Sequence, residues 1–222
     1  MDELTKYRLI SYLQKRKLVG ESYIMPFNFN NFIKDELPTS LKNLEDVVRV
    51  CTMCELYTVR KNPVFGEGNI NAKLMFIGEG PGANEDEQGR PFVGRSGKML
   101  NDMITNVLKL SREDIYIANI VKCRPPLNRV PTKNEAYTCR QYLFKQIDII
   151  NPYIIVTLGA TAYKYLTDSE DVQISKIRGK IINFNNRLLI PTFHPSYLLR
   201  SQSQKVYALE DLKLVKGELE KL

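Results

Sequence analysis

From Leu44 onward, short apolar runs alternate with stretches in which apolar residues recur every three or four positions. That alternation is the mark of βαβ units around a parallel sheet. The apolar runs predict strands at Leu74 to Ile77, Ile115 to Ile120, Tyr153 to Leu158 and Leu188 to Thr192. Between them, Met99, Leu100, Met103, Ile104, Val107 and Leu108 form one helical face, and Thr132-Lys133-Asn134-Glu135 opens a second helix with a capping-box pattern. Gly159 to Ala162 starts a third helix, and Tyr207 to Leu219 predicts a last one. The expected fold class is α/β, a three-layer α/β/α sandwich on a short, four-stranded parallel sheet. Residues 1–43 read differently, with a helix-like stretch around Tyr7 to Leu13 and an aromatic and Asn-rich segment from Tyr23 to Phe32. They are read as an N-terminal extension without an assigned role, and residues 44–222 as the domain.

In such sheets ligands sit beyond the carboxyl ends of the strands, and the unusual residues fall there. The first strand runs into Gly78-Glu79-Gly80-Pro81-Gly82, a turn that serves either structure or close approach of backbone amides to a ligand. Its continuation, Gly89-Arg90-Pro91-Phe92-Val93-Gly94, carries an aromatic that reads either as core or as a platform for a planar base. The fourth strand ends in His194-Pro195-Ser196-Tyr197-Leu198-Leu199-Arg200, taken as a tight turn, with the chain's single histidine beside a hydroxyl, apolar side chains and a cation. A solitary histidine is often structural; its neighbours here favour chemistry.

The charge adds to this picture. The 222 residues carry a formal net charge of +7, and Arg90, Arg95, Lys122, Arg124, Arg129 and Arg200 lie beside these motifs, as a polyanion partner would require. No run approaches the ~20 apolar residues of a membrane span. The first residues lack the basic-then-apolar layout of a secretory signal, so the cytoplasm is expected. In that compartment four cysteines argue against disulfides and for metal or chemistry. Cys51 and Cys54 have a metal-gripping spacing, and Cys123 and Cys139 complete four ligands for either zinc or an iron-sulfur centre.

Together these residues resemble the family 4 uracil-DNA glycosylases over Leu44 to Arg200. The resemblance rests on GEGPGANEDEQGRPFVGRSG (78–97), NIVKCRPPLNR (119–129) and HPSYLLR (194–200), with the four cysteines in the expected order. It implies a monomeric, monofunctional DNA repair enzyme that flips uracil out of single- or double-stranded DNA and hydrolyses its N-glycosidic bond. It further implies uracil stacked on Phe92 and paired with Asn119, Glu85 crowding the C5 side against thymine, and backbone amides near Gly80 completing the pocket. His194 would stabilise the departing uracil anion through O2. An aspartate found in another branch of the superfamily is replaced here by Gly80, which leaves Glu79 as the nearest carboxylate for positioning water or stabilising the sugar cation. Ser196 would clamp a phosphate, Leu198 would wedge into the vacated stack and Arg200 would meet the backbone. Asn128 lies in a matching motif without an assigned role. A 4Fe-4S cluster on Cys51, Cys54, Cys123 and Cys139 would be structural.

Two other readings remain at this level. One is a superfamily member that binds DNA or assists a polymerase without excision. The other is a zinc-stapled nucleotide-binding protein, although the Gly-rich turn lacks the Gly-Lys-Ser/Thr ending of a phosphate loop and the glycine order of a dinucleotide fold.

Overall fold

The computed structural model describes residues 37–222. The expectations for Tyr7 to Leu13 and Tyr23 to Phe32 lie outside the described residues. The first described helix, α1 (Leu41–Arg49), is capped by the Ser40 hydroxyl and runs across the expected boundary at residue 43, burying Leu44 and Val48.

The sheet has six strands: β1 (Glu67–Gly68), β2 (Leu74–Gly78), β3 (Tyr116–Asn119), β4 (Ile154–Leu158), β5 (Ile182–Phe184) and β6 (Arg187–Thr192), in the order β1-β3-β2-β4-β6-β5. The four central strands are parallel and correspond to the four expected ones. The expected four-stranded sheet is therefore corrected to six, because two short antiparallel edges flank it. Neither edge carries the fully apolar run that marks a strand buried on both faces. β1 spans only Glu67 and Gly68, while β5 is joined to β6 through Asn185 and Asn186, both at positive φ. That two-residue asparagine loop is the hairpin signal that could have revealed β5.

Period-two alternation divides the core between two layers. Met75, Ile77, Ala118, Ile155 and Leu189 face one cluster with α1 and α4 (Lys133–Ile150). Leu74, Phe76, Ile117, Val156 and Ile190 face the other, with α3 (Arg95–Met103) and the C-terminal helix Lys205–Leu219. Helix α3 continues through a π turn at Ile104–Leu108 and ends at Lys109 in a left-handed conformation. The capping box of α4 forms as its sequence predicts, with Thr132 and Glu135 exchanging side-chain-to-amide hydrogen bonds.

The connection order places a topological switch beside β2, since β3 lies on one side of it and β4 on the other. A helical turn, α2 (Ala83–Gln88), follows β2, α5 (Ala160–Thr167) follows β4, and the short α6 (Ile174–Ile177) precedes β5. The chain therefore diverges at the carboxyl ends of β2 and β4 and leaves a crevice.

Candidate active site

A cleft of about 830 Å³ opens at that crevice. Its floor is built by the strand ends: Glu79 and Gly80 after β2, Asn119 at the end of β3, Leu158 to Thr161 around β4, and His194 after β6. Phe92, Glu85, Ser196, Leu199 and Arg200 complete the walls and rim, with Arg95 and Arg129 as further cations.

Asn119 is only 2% exposed, and its side-chain Oδ1 has no hydrogen-bond partner. A buried acceptor without a donor carries a cost of about 1–3 kcal/mol, which a ligand N–H would remove. Its position is set from behind. The buried Lys122 Nζ donates to the Asn119 carbonyl at 3.0 Å and to Gln146 at 2.6 Å, fixing the strand end.

Phe92 stands next to this amide, with its backbone in the left-handed region at φ 51. The surrounding structure holds it there. Arg112 donates to the carbonyls of Phe92 at 3.1 Å and Pro91 at 2.7 Å, and to Asn101 at 2.9 Å. Glu67 on the β1 edge pairs with Arg112 and with Arg90. Burial alone would raise the Glu67 carboxyl, but the two guanidiniums hold it below its ordinary value. Gly97 of α3 lies so close to the Phe92 carbonyl that a side chain there would collide with it. Gly78 backs the pocket in the same way: an added Cβ would stand 2.6 Å from Phe92 Cζ and against Asn119 Oδ1.

The Phe92 and His194 rings lie 5.9 Å apart between centroids, tilted by 34°. His194 is the N-cap of α7 (Pro195–Arg200), and its Nδ1 accepts the Ser196 N–H at 3.1 Å, with the Ser196 hydroxyl at 2.8 Å. An amide N–H only donates, so Nδ1 is unprotonated and the ring proton sits on Nε2. Burial, with the nearby Arg200 charge, pushes the imidazole down to about 4, so it is neutral at physiological pH.

Glu79 is half-buried and hydrogen-bonded to Thr161. Burial raises its carboxyl above the ordinary range despite that bond. Glu85 lines the cleft too, but its oxygens are occupied: Oε1 accepts the amides of Val93 and Gly94 at 2.9 Å, and Oε2 accepts that of Gly82 at 3.2 Å. It ties the Gly-rich turn to the Phe92 loop.

Leu198 does not stand where the sequence reading put it. Residues 195–200 form a helix, and its period turns Pro195 and Leu198 inward. Leu198 is 1% exposed within the cluster that holds Phe92, Leu158 and Phe193. The neighbouring Leu199, 36% exposed, reaches the cleft instead. Sequence reasoning also missed Thr161 and Arg112. Thr161 had a signal in its place just after a strand-ending glycine; Arg112 had none.

The four cysteines line one second, small cavity between the end of α1, the segment after β3 and α4. Donors point at their sulfurs: Tyr142 at Cys51 (3.2 Å), Arg60 at Cys123 (3.0 Å) and the Lys122 amide at Cys139 (3.2 Å). Burial, followed by repulsion from neighbouring thiols, raises Cys139 well above its ordinary value; burial likewise pushes Cys54 up to about 12. A multiply charged metal centre reverses that logic by binding the thiolates, and sulfur-directed donors suit such a centre. Among the described residues no three His, Cys, Asp or Glu side chains are grouped as a single metal ion needs.

An unpaired amide, an aromatic wall and an imidazole N–H around one slot make a site for a flat, hydrogen-bonding heterocycle, under guanidiniums suited to an anionic backbone. The model of the uracil DNA glycosylase superfamily matches residues 65–213, and the chain belongs to that superfamily. It is 45% identical to a type-4 uracil-DNA glycosylase of Thermotoga maritima, over 86% of this chain and 98% of that protein. It is also 45% identical to one of Saccharolobus solfataricus (81% and 87% covered) and 42% identical to one of Sulfurisphaera tokodaii (80% and 84%). Among the described residues no helix is long and apolar enough to cross a membrane.

Proposed function

We propose that the chain is a DNA repair glycosylase that hydrolyses the N-glycosidic bond of uracil in DNA, acting as a cytoplasmic monomer on single- or double-stranded substrate. The observation that carries this reading is the buried, unpartnered Oδ1 of Asn119 beside Phe92 and the Nε2–H of His194. Uracil offers the complementary edge. Its N3–H donates to Oδ1, its O4 accepts from the amide nitrogen, and its ring stacks on Phe92.

Cleavage moves the C1′–N1 bonding pair onto the uracil ring, mostly at O2, while the sugar becomes cationic. A neutral His194 donating from Nε2 stabilises the new oxyanion without needing reorganisation. Glu79 faces the same cleft and holds the water that adds to C1′ or balances the sugar charge, with Thr161 steadying the carboxylate. Glu85 shapes the wall on the C5 side, and amides near Gly80 close the pocket. Ser196 and Arg200 meet phosphate, with Arg95 and Arg129 on the same rim.

Cys51, Cys54, Cys123 and Cys139 would hold a 4Fe-4S cluster, which when bound cross-links α1, the segment after β3 and α4. Protein isolated with its cluster is expected to be brown, with about four irons and four acid-labile sulfides per chain. Stoichiometric zinc without sulfide would replace the cluster reading. The function itself is tested by incubating the protein with uracil-containing oligonucleotides and detecting abasic sites. Tight binding without abasic sites would make it a non-excising member of the superfamily.

Glu79 yields a further expected outcome. Folding raises its pKa, so the proton is retained to higher pH in the folded chain than in the unfolded one; that stability is lost as pH rises through the folded value. Above it, a partly desolvated charge burdens the fold. Glu79→Gln is therefore expected to raise the melting temperature at mildly alkaline pH while slowing excision. A melting temperature that stays put or falls would remove the argument for a strained carboxylate.

A further inference from the structure

Leu127 is 95% exposed, which no other large hydrophobic side chain of the described residues matches. It sits in the short 3₁₀ turn Pro126–Asn128 at φ 54 and ψ 20, followed by Asn128 at φ 56. Two consecutive left-handed residues suit glycine or asparagine; leucine is sterically disfavoured there. Its apolar surface packs on nothing large enough to hide it, so neither local backbone preference nor the core accounts for this residue type.

The turn is rigid and well placed. Asn128 N–H donates to the Pro125 carbonyl at 3.0 Å and Arg129 N–H to that of Pro126 at 3.1 Å. Arg124 donates to Asn128 Oδ1 at 2.8 Å, and Arg129 grips the Glu135 carboxylate with both terminal nitrogens, at 2.8 and 2.7 Å. Pro125, Asn128 and Arg129 line the cleft, which puts the turn that carries Leu127 at its mouth, with Arg124 and Arg129 on either side of it in the chain. An apolar point flanked by cations is complementary to a base stack flanked by phosphates.

Resting on the glycosylase reading, we infer that Leu127 is the side chain that enters the duplex and occupies the space left by the flipped nucleotide. Extracting a base from a duplex requires unstacking, which inserted apolar side chains offset. Leu198 is buried in the core and unavailable for that task. Leu199 stands on another part of the rim and is far less exposed, at 36%.

Single-turnover excision by the full chain, with the same uracil sequence as single strand and as duplex, tests the assignment. Leu127→Gly relaxes the left-handed backbone and removes the wedge, so the duplex-to-single-strand rate ratio is expected to fall about tenfold. Leu127→Met is expected to keep most of the ratio, and a bulky pyrene nucleotide opposite uracil is expected to restore it to Leu127→Gly. A parent-like ratio in Leu127→Gly, or equal losses on both substrates, would overturn the inference. So would a duplex-specific loss in Leu199→Ala with none in Leu127→Gly. Absence of excision by the parent chain on either substrate would instead sink the glycosylase reading, and this inference with it.

Discussion

Replacing His194 by alanine is expected to slow uracil release by ~10² to 10³, about 3 to 4 kcal/mol of transition-state stabilisation, while DNA affinity changes little. The selectivity for rate follows from when the hydrogen bond matters. Uracil O2 is a modest acceptor in the intact nucleoside and a strong one as the C1′–N1 bond breaks. Alanine also removes the Nδ1 acceptor that caps α7, so a loss of rate could be confused with a loss of order. His194→Asn separates the two, because asparagine is a good N-cap but places no donor where Nε2–H stood. Both variants should be slow, with His194→Asn melting closer to the parent. A parent-like chemical step in His194→Asn would remove His194 from leaving-group stabilisation. The pH dependence has a definite sign as well. The imidazole falls from 6.5 to about 4 on folding, so its contribution to stability is complete above the unfolded value and erodes as pH drops from there toward the folded one. Excision should show no histidine titration near neutrality.

Asn119→Asp is expected to cut uracil excision by about 10²-fold near neutral pH, the equivalent of one or two buried hydrogen-bond mismatches. The substitution keeps an acceptor for N3–H and loses the donor to O4. An ionised carboxylate facing O4 adds repulsion at a position that is only 2% exposed. The new acceptor suits the amino group that cytosine carries at the same ring position, so discrimination between uracil and cytosine should narrow. Single-turnover rates on matched oligonucleotides measure both quantities. Unaltered uracil excision would move base reading to another residue, with Asn128 on the rim as the next to substitute.

The parts of the molecule that sequence pattern exposed share one property: their signal is local. Four parallel strands appear as apolar runs because both of their faces are buried, and the cap of α4 is written within Thr132 to Glu135. Edge strands escaped because two or three half-exposed residues carry no such run. The HPSYLLR pattern marks a turn, and a turn does not fix which leucine faces inward; the helix that forms there does, burying Leu198 and presenting Leu199. Support of Phe92 was invisible for a different reason. Arg112 reaches across 20 residues to Phe92 and 45 to Glu67, and no spacing rule covers such distances. Glu85 was legible as a cleft residue, but not as the acceptor of three amides.

Gly78 and Gly97 bear on how this cleft can evolve. Phe92 and Asn119 press against one, and the Phe92 carbonyl against the other, so the slot is moulded partly by side chains that are missing. A side chain at Gly78 would subtract volume from the slot, and one at Gly97 would displace the backbone that carries Phe92. Drift toward a bulkier base must therefore pass through Phe92, Asn119 or the rim, and the first two share a backing that makes their effects interdependent. A directed library seeking a new base preference should hold both glycines constant and vary positions 92 and 119 as a pair, since single changes at one will be judged against a partner shaped for uracil.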